Sequence, residues 1–395
     1  MKVSYSIASI IFWFSVSTAV AQIPDSLKTF TSIEEAAKNP DVVRTLRINR
    51  YDKDVFPSEV LKMKNLRVFT LRGGKYQAIP PGLGQLNQLR ILQIENSHIS
   101  DLPDEIGKLE ELTQLNLQNN KLTKVPSSIS KLSKMTILNL SNNMITEIPN
   151  SVSGMTALVD LNLASNKIST LPDDIGNLPQ LRTINVKGNQ ISTIPKSLGA
   201  SKSLVNVDLS NNKLSNLGGI GGLLKIENLD LSSNGLSKLD DALFDLPEIK
   251  IINVSGNALQ SLPMSISKAK KLRALNASKN QISQLPAGLA ELSQLDMIDF
   301  SENSIKEIPE SIGNLENLQS IDLAKNNLRT IPASIGKLTK LRSLDLTDNP
   351  LESLPIKDLI KLHNLKKFMF FQSPPDASKE LKKAPTDAKP VGDKK

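Results

Sequence analysis

Residues 112–134 read LTQLNLQNNKLTKVPSSISKLSK, and near-copies of this 23-residue string lie before and after it at a fixed spacing. Numbered from 1, its apolar residues fall at positions 1, 4, 6, 11, 14, 18 and 21 (Leu112, Leu115, Leu117, Leu122, Val125, Ile129 and Leu132), with Asn120 at 9 and Pro126 at 15. The frame restarts at Val43, Leu66, Leu89, Leu112, Met135, Leu158, Leu181, Leu204, Ile226, Ile249, Leu272, Leu295, Leu318 and Leu341, and a half-unit opens at Leu365. Two steps depart from 23: 204 to 226 is one residue short and 341 to 365 one long. The chain is therefore a repeat array.

Apolar residues at positions 4 and 6 with polar neighbours at 3, 5 and 7 alternate with the period of a strand, so positions 3 to 7 are expected to form one. Thr113, Gln114, Asn116, Gln118 and Asn119 then face outward. The chain crosses the far side and returns to an adjacent parallel strand, a connection that is right-handed for L-residues. No unit buries its own apolar face, so stability comes from stacking. Position 9 repeats as Asn120, Asn143, Asn166, Asn189, Asn212, Asn234, Asn257, Asn280, Asn303, Asn326 and Asn349. A stacked amide there can satisfy backbone groups exposed where the chain leaves the sheet. Pro at position 15 sets φ where a short outer helix or turn begins.

On these motifs the chain resembles the leucine-rich repeat family, in its 23-residue class with LPxxIGxL outer segments. That class is seen in bacterial exported proteins and in eukaryotic Ras-binding scaffolds. The resemblance covers residues 43–371. It implies an α/β fold: a right-handed solenoid curved into a horseshoe, with a parallel sheet on the concave face and short helices or turns on the convex face. It also implies protein binding through the concave face, while naming no partner.

Four segments are expected. Residues 1–21 read as a signal peptide, with Lys2, an apolar run through Ile10, Ile11, Phe12, Trp13 and Phe14, and Ala19-Val20-Ala21 before Gln22. Residues 22–42 are expected to cap the first strand with a helix, since Ser32 and Glu35 have capping-box spacing. Residues 43–371 are the repeats, about fourteen plus a half-unit, ending on Leu365, Phe368 and Phe370 with Phe371 outward. Residues 372–395 form a Lys/Pro-rich tail expected to be disordered. The cysteine count of zero excludes the disulfide-bonded caps of animal and plant extracellular relatives, so the resemblance implies a bacterial exported protein, periplasmic or extracellular at the cell surface or beyond it. The run Gly218, Gly219, Gly221 and Gly222 in the short unit lacks the Lys and Ser or Thr of a phosphate loop. It reads instead as a tight outer turn.

Catalysis needs a nucleophile with a base, a metal set or paired carboxylates in a cleft. The two histidines, His98 and His363, are far apart in the array, and without Cys they make a poor metal set. No enzyme, cofactor or metal is expected. What remains is the wall formed by positions 2, 3, 5, 7 and 8, about 4.8 Å apart from strand to strand. Its basic start has Arg44, Arg47, Arg50, Arg67, Arg72 and Arg90, with Asp52, Asp54 and Glu59 as possible counter-charges. Its middle carries Asn116, Asn139, Asn162 and Asn185 at position 5, and its later units Asp208, Asp230, Asp299, Asp322 and Asp345. The apolar candidates on it are Val68, Ile91, Ile137, Ile251, Met297, Met369 and Phe371. Asn and Asp at position 5 are also soluble residues able to bond their neighbours, so part of this column could be structural. Basic residues without interleaved aromatics argue against nucleic acid.

The expected function is a non-catalytic exported module recognising a protein partner through the concave face. The alternative is a structural envelope protein that self-associates or binds polysaccharide. Cleavage after Ala21 would remove Trp13, the only tryptophan. The exported protein should thus give a tyrosine-type emission spectrum with no tryptophan band, and a tryptophan band would show that the leader is retained.

Overall fold

The computed structural model describes residues 28–371. The expected leader, the first residues of the cap and the tail lie outside the described residues. Sixteen strands form one sheet in strict chain order, and every neighbouring pair is parallel. Strands β2 (Thr45–Tyr51), β3 (Val68–Gly73) and β4 (Ile91–Glu95) are the long ones. From β5 (Gln114–Asn116) to β16 (Lys367–Met369) each strand is three residues, positions 3 to 5 of its unit. The expected span of 3 to 7 is met at β4 and is too long from β5 onward, where the chain is diverted after position 5. At position 8 the backbone is left-handed, with φ near +55° at Asn96, Asn119 and Asn142 and even at Lys279, Glu302 and Lys325. That is a costly conformation for residues other than Gly, Asn and Asp, and it recurs because the bend is imposed by the stack.

The apolar positions fill one continuous core. In the unit 112–134 all seven are buried, each contributing roughly 1.5–3 kcal/mol relative to exposure. The Asn at position 9 closes the polar account. Asn143 Nδ2 donates to the carbonyls of Leu140 and Ser141 in its own unit and of Leu117 in the preceding one, at 3.0, 3.2 and 3.0 Å. Its Oδ1 accepts the Leu122 N–H at 3.0 Å. The same four bonds recur at Asn166, Asn257 and Asn349. In the third unit Ser97 holds this position, its hydroxyl donating to the Gly73 carbonyl at 2.7 Å and hydrogen-bonded to the Tyr76 hydroxyl at 2.9 Å.

Most outer segments are single 3₁₀ turns such as Ser127–Lys131, with two short helices, α2 (Lys196–Gly199) and α3 (Ile356–Leu359), among the later units. Proline stands immediately before the turn, and its carbonyl accepts the turn's first bond, as from Ile129 N–H to Pro126 at 3.1 Å. The turns pack closely on one another. A Cβ on Gly107 would sit 2.5 Å from the Ser128 carbonyl oxygen, so only glycine fits. The glycine-rich unit forms such a turn over Ile220–Gly222, with Gly219 at φ +100°.

The sheet begins with a strand that the sequence did not announce, β1 (Thr29–Phe30), paired with β2. Helix α1 (Ile33–Ala37) follows, capped by Ser32 Oγ accepting the Glu35 N–H at 3.1 Å. At the far end Leu365 and Phe370 flank β16 instead of lying on it.

Asn143→Ala should lower stability by about 2–4 kcal/mol, because it strands the buried Leu122 N–H and removes three acceptors' partner. Urea unfolding checks this, with the exposed Thr123→Ala as a near-neutral control.

Candidate functional site

The wall is built from positions whose side chains leave the core side of the sheet. Its position-5 side chains have a duty to the chain itself. Asn116, Asn139, Asn162, Asn185, Asp208, Asp230, Asp299, Asp322 and Asp345 each accept the N–H two residues on through Oδ1, at 2.8–3.1 Å. This short-range bond turns the chain out of the sheet after three residues. Where serine follows at position 7 its hydroxyl adds a second bond, 2.6 Å at Asp208 and 2.7 Å at Asp299. Asn139, Asp208, Asp230, Asp299 and Asp345 are buried, while Asn116, Asn162, Asn185 and Asp322 are half-buried. The column is a recessed floor of the wall.

Burial works against the charge of this floor. The Asp208 carboxyl is pushed up by burial and then by Asp230 beside it. Asp299 is likewise pushed up by burial. Asp322 is raised to about 6 by burial and then by Asp299 on the neighbouring strand. Asp299, Asp322 and Asp345 lie in register on successive strands, so their carboxylates face one another at strand spacing.

The basic start is arranged differently. Arg44, Arg67 and Arg90 occupy position 2 of three successive units, and their backbones are bonded directly, Arg67 N–H to Arg44 and Arg90 N–H to Arg67, both at 2.8 Å. Arg44 is anchored to the Asp41 carbonyl at 2.7 Å. The guanidinium groups of Arg47, Arg50, Arg67 and Arg90 make no hydrogen bond or ion pair among the described residues. Asp52, Asp54 and Glu59, the counter-charges suggested by the sequence, enter no ion pair among the described residues either. The counter-ion that is present is Glu95, at position 7 of its unit and 4% exposed. Its carboxylate accepts Asn116 Nδ2 at 3.0 Å and Gln118 Nε2 at 3.2 Å, and pairs with Arg72 Nε at 3.3 Å. Arg72 is thus tied down, whereas Arg47, Arg67 and Arg90 are not. Sequence reading missed Glu95; a carboxylate at position 7, where no other unit has one, was the available signal.

The apolar candidates divide as well. Val68 and Ile91 are buried, correcting their assignment to the exposed wall, because the position-3 side chains Thr45, Val68, Ile91 and Gln114 stand side by side on successive strands and cover one another. Ile137, Ile251, Met297 and Met369 are half-buried, and Phe371 is exposed. Tyr76 is buried against Phe56 and Ser97, leaving Tyr51 half-exposed beside it. A groove of about 780 Å³ runs past these units, lined by Asp54, Val55, Lys75, Gln77 and His98 among others. No group of three or more His, Asp or Glu among the described residues is placed to hold a metal ion.

The sequence profile of the leucine-rich repeat region matches residues 42–166 and 292–385, more than half of the chain, and that of the leucine rich repeat matches 160–214 and 225–282. No curated protein matches the sequence. A leucine-rich repeat protein of Leptospira interrogans is similar at 27% identity and a TM-score of 0.62, over 87% of this chain and 99% of that one. An internalin of Listeria monocytogenes shares the fold at 21% identity and a TM-score of 0.71, over 87% and 94% of the two chains. A plant peptide hormone receptor, solved in complex with RGF2, is similar at 29% identity and a TM-score of 0.63, over 82% of this chain and 57% of the receptor.

The Asp322 carboxyl has a definite pH signature. Its pKa is higher in the fold than in the open chain, so between pH 4 and 6 the folded state binds more protons, and stability falls as pH rises through that window. Asp322→Asn should raise the melting midpoint at pH 7.5 by about 2–4 °C. That gain should shrink to nothing near pH 4, which calorimetry at the two pH values can check.

Proposed function

The chain belongs to the leucine-rich repeat family, and from that premise we propose that it is a non-catalytic, exported binding module that recognises a protein partner through the concave face of its sheet. One observation carries the reading. Arg44, Arg67 and Arg90 stand side by side immediately before β2, β3 and β4 and enter no ion pair among the described residues, the Glu111 carboxylate near Arg90 being held by Lys134. Like charges at strand spacing repel, and a partner's carboxylates would relieve that repulsion. Arginine is also well suited to anchor an interface, since it forms two parallel bonds to a carboxylate.

The remainder of the wall fits a supporting part. Its floor is made of Asn, Asp, Ser and Ala whose polar groups are largely used internally, so it offers a smooth polar track without strong anchors. Binding of this kind is polar and weakens with salt. The plant receptor solved in complex with RGF2 supports a protein partner, and the domain plan of leader, cap, repeats and tail completes the proposal. The alternative of polysaccharide binding lacks its usual platform, because Tyr76 is buried and aromatic faces are scarce on the wall.

Immobilised protein should capture a partner from envelope or host extracts at low salt and release it at high salt. The triple change Arg44→Glu, Arg47→Glu and Arg67→Glu should reduce capture at least tenfold, about 1.4 kcal/mol or more. Unchanged capture would remove the basic row from the site.

A further inference from the structure

The two ends of the sheet are finished differently. At the start, β1 and α1 close the stack with Phe30, Ile33 and Ala36 buried. At the other end β16 is the last strand among the described residues, and Phe370, at the position 6 that is buried in interior units, stays open beside Phe371 and Ile356. Phe370 is 49% exposed, Phe371 61% and Ile356 59%. The Phe368 and Phe370 rings stack at 4.9 Å. Phe370, Leu351, Leu354 and Ile356 share one groove of about 470 Å³. Contiguous apolar surface beside a strand edge that no described residue pairs with marks an interaction site.

We propose that this end face is covered by the same face of a second copy of the chain, in a two-fold dimer made by antiparallel pairing of β16 with its counterpart about Phe368. The backbone is set for it. Lys367 N–H bonds back to the Arg342 carbonyl at 3.0 Å, and the Met369 carbonyl accepts the Leu346 N–H at 2.7 Å. By the alternation of a ladder, the N–H and C=O of Phe368 point to the open edge. An antiparallel copy centred there exchanges both bonds between the two Phe368 residues. That register sets Lys367 opposite Met369 and Lys366 opposite Phe370 of the other copy, so the basic residues of the edge avoid one another. Opposite residues of such a pair face the same side. The half-buried Phe368 and exposed Phe370 of both copies would therefore merge into one core.

The chain's own residues 372–395 are a weaker occupant, since Leu381 and Val391 are their only large aliphatic side chains and they contain no aromatic. A two-fold contact also closes at two copies, whereas pairing of β16 with the first strand of another copy would run on as a filament. In the dimer the two sheets become one and both walls face the same way. A partner with repeated binding elements would then be held at both walls, gaining affinity by effective concentration.

Sedimentation equilibrium of the full chain tests this. A reversible dimer is expected, and Phe370→Glu with Phe371→Glu should raise its dissociation constant tenfold or more while circular dichroism stays unchanged. Val42→Glu, at the opposite end and 54% exposed, should leave it unaltered. Because the chain has no cysteine, Lys367→Cys with Met369→Cys should give a covalent dimer on oxidation, reporting the register. A monomer at every concentration, a dimer indifferent to the phenylalanine changes, or a dimer that fails to cross-link would each overturn the proposal.

Discussion

The fold depends on one constraint: a three-residue strand must end in a turn whose backbone groups lie inside the stack, out of reach of water. A buried amide or carbonyl without a partner costs about 1–3 kcal/mol, and each unit creates several. The position-9 asparagine answers this with one side chain that donates to three carbonyls and accepts one N–H of the preceding unit. The position-5 Asn or Asp answers the neighbouring need by bonding the N–H two residues on. Together they make the leucine core possible, because Leu115 and Leu117 enter it only if the chain between them and Leu122 turns without orphaned groups.

That division of labour changes how the concave face is read. From spacing alone every outward position is a candidate for binding, and the graded column from Asn116 to Asp345 invites a ligand-based explanation. The geometry shows what each of these side chains does first: it holds the strand exit. What the wall has left over is located elsewhere, in guanidinium groups at positions 2 and 5 of the first units. Glu95 ties up Arg72 alone, through a network that also holds Asn116 and Gln118.

Most of the fold was legible because the repeat is over-determined. Each apolar position is restated in successive units, and a departure such as the Gly218–Gly222 run stands out by contrast. The ends were less legible, since a cap has no second copy to compare with. The sequence suggested a capping helix from Ser32 and Glu35, but β1 has only Thr29 and Phe30 and no pattern to reveal it. Exposure on the wall was least legible. Val68 and Ile91 alternate as outward residues do, yet their position-3 neighbours Thr45 and Gln114 close over them from the adjacent strands, a contact between units that spacing within one unit does not reveal.

An open, stacked sheet that offers the arginines of its first units to a partner must be shielded there when the partner binds. Hydrogen–deuterium exchange on the protein with and without its captured partner tests it most directly. New protection is expected in the strands and strand exits of residues 44–96, with the convex turns unchanged. Protection confined to the outer turns, with the wall exchanging as before, would contradict it.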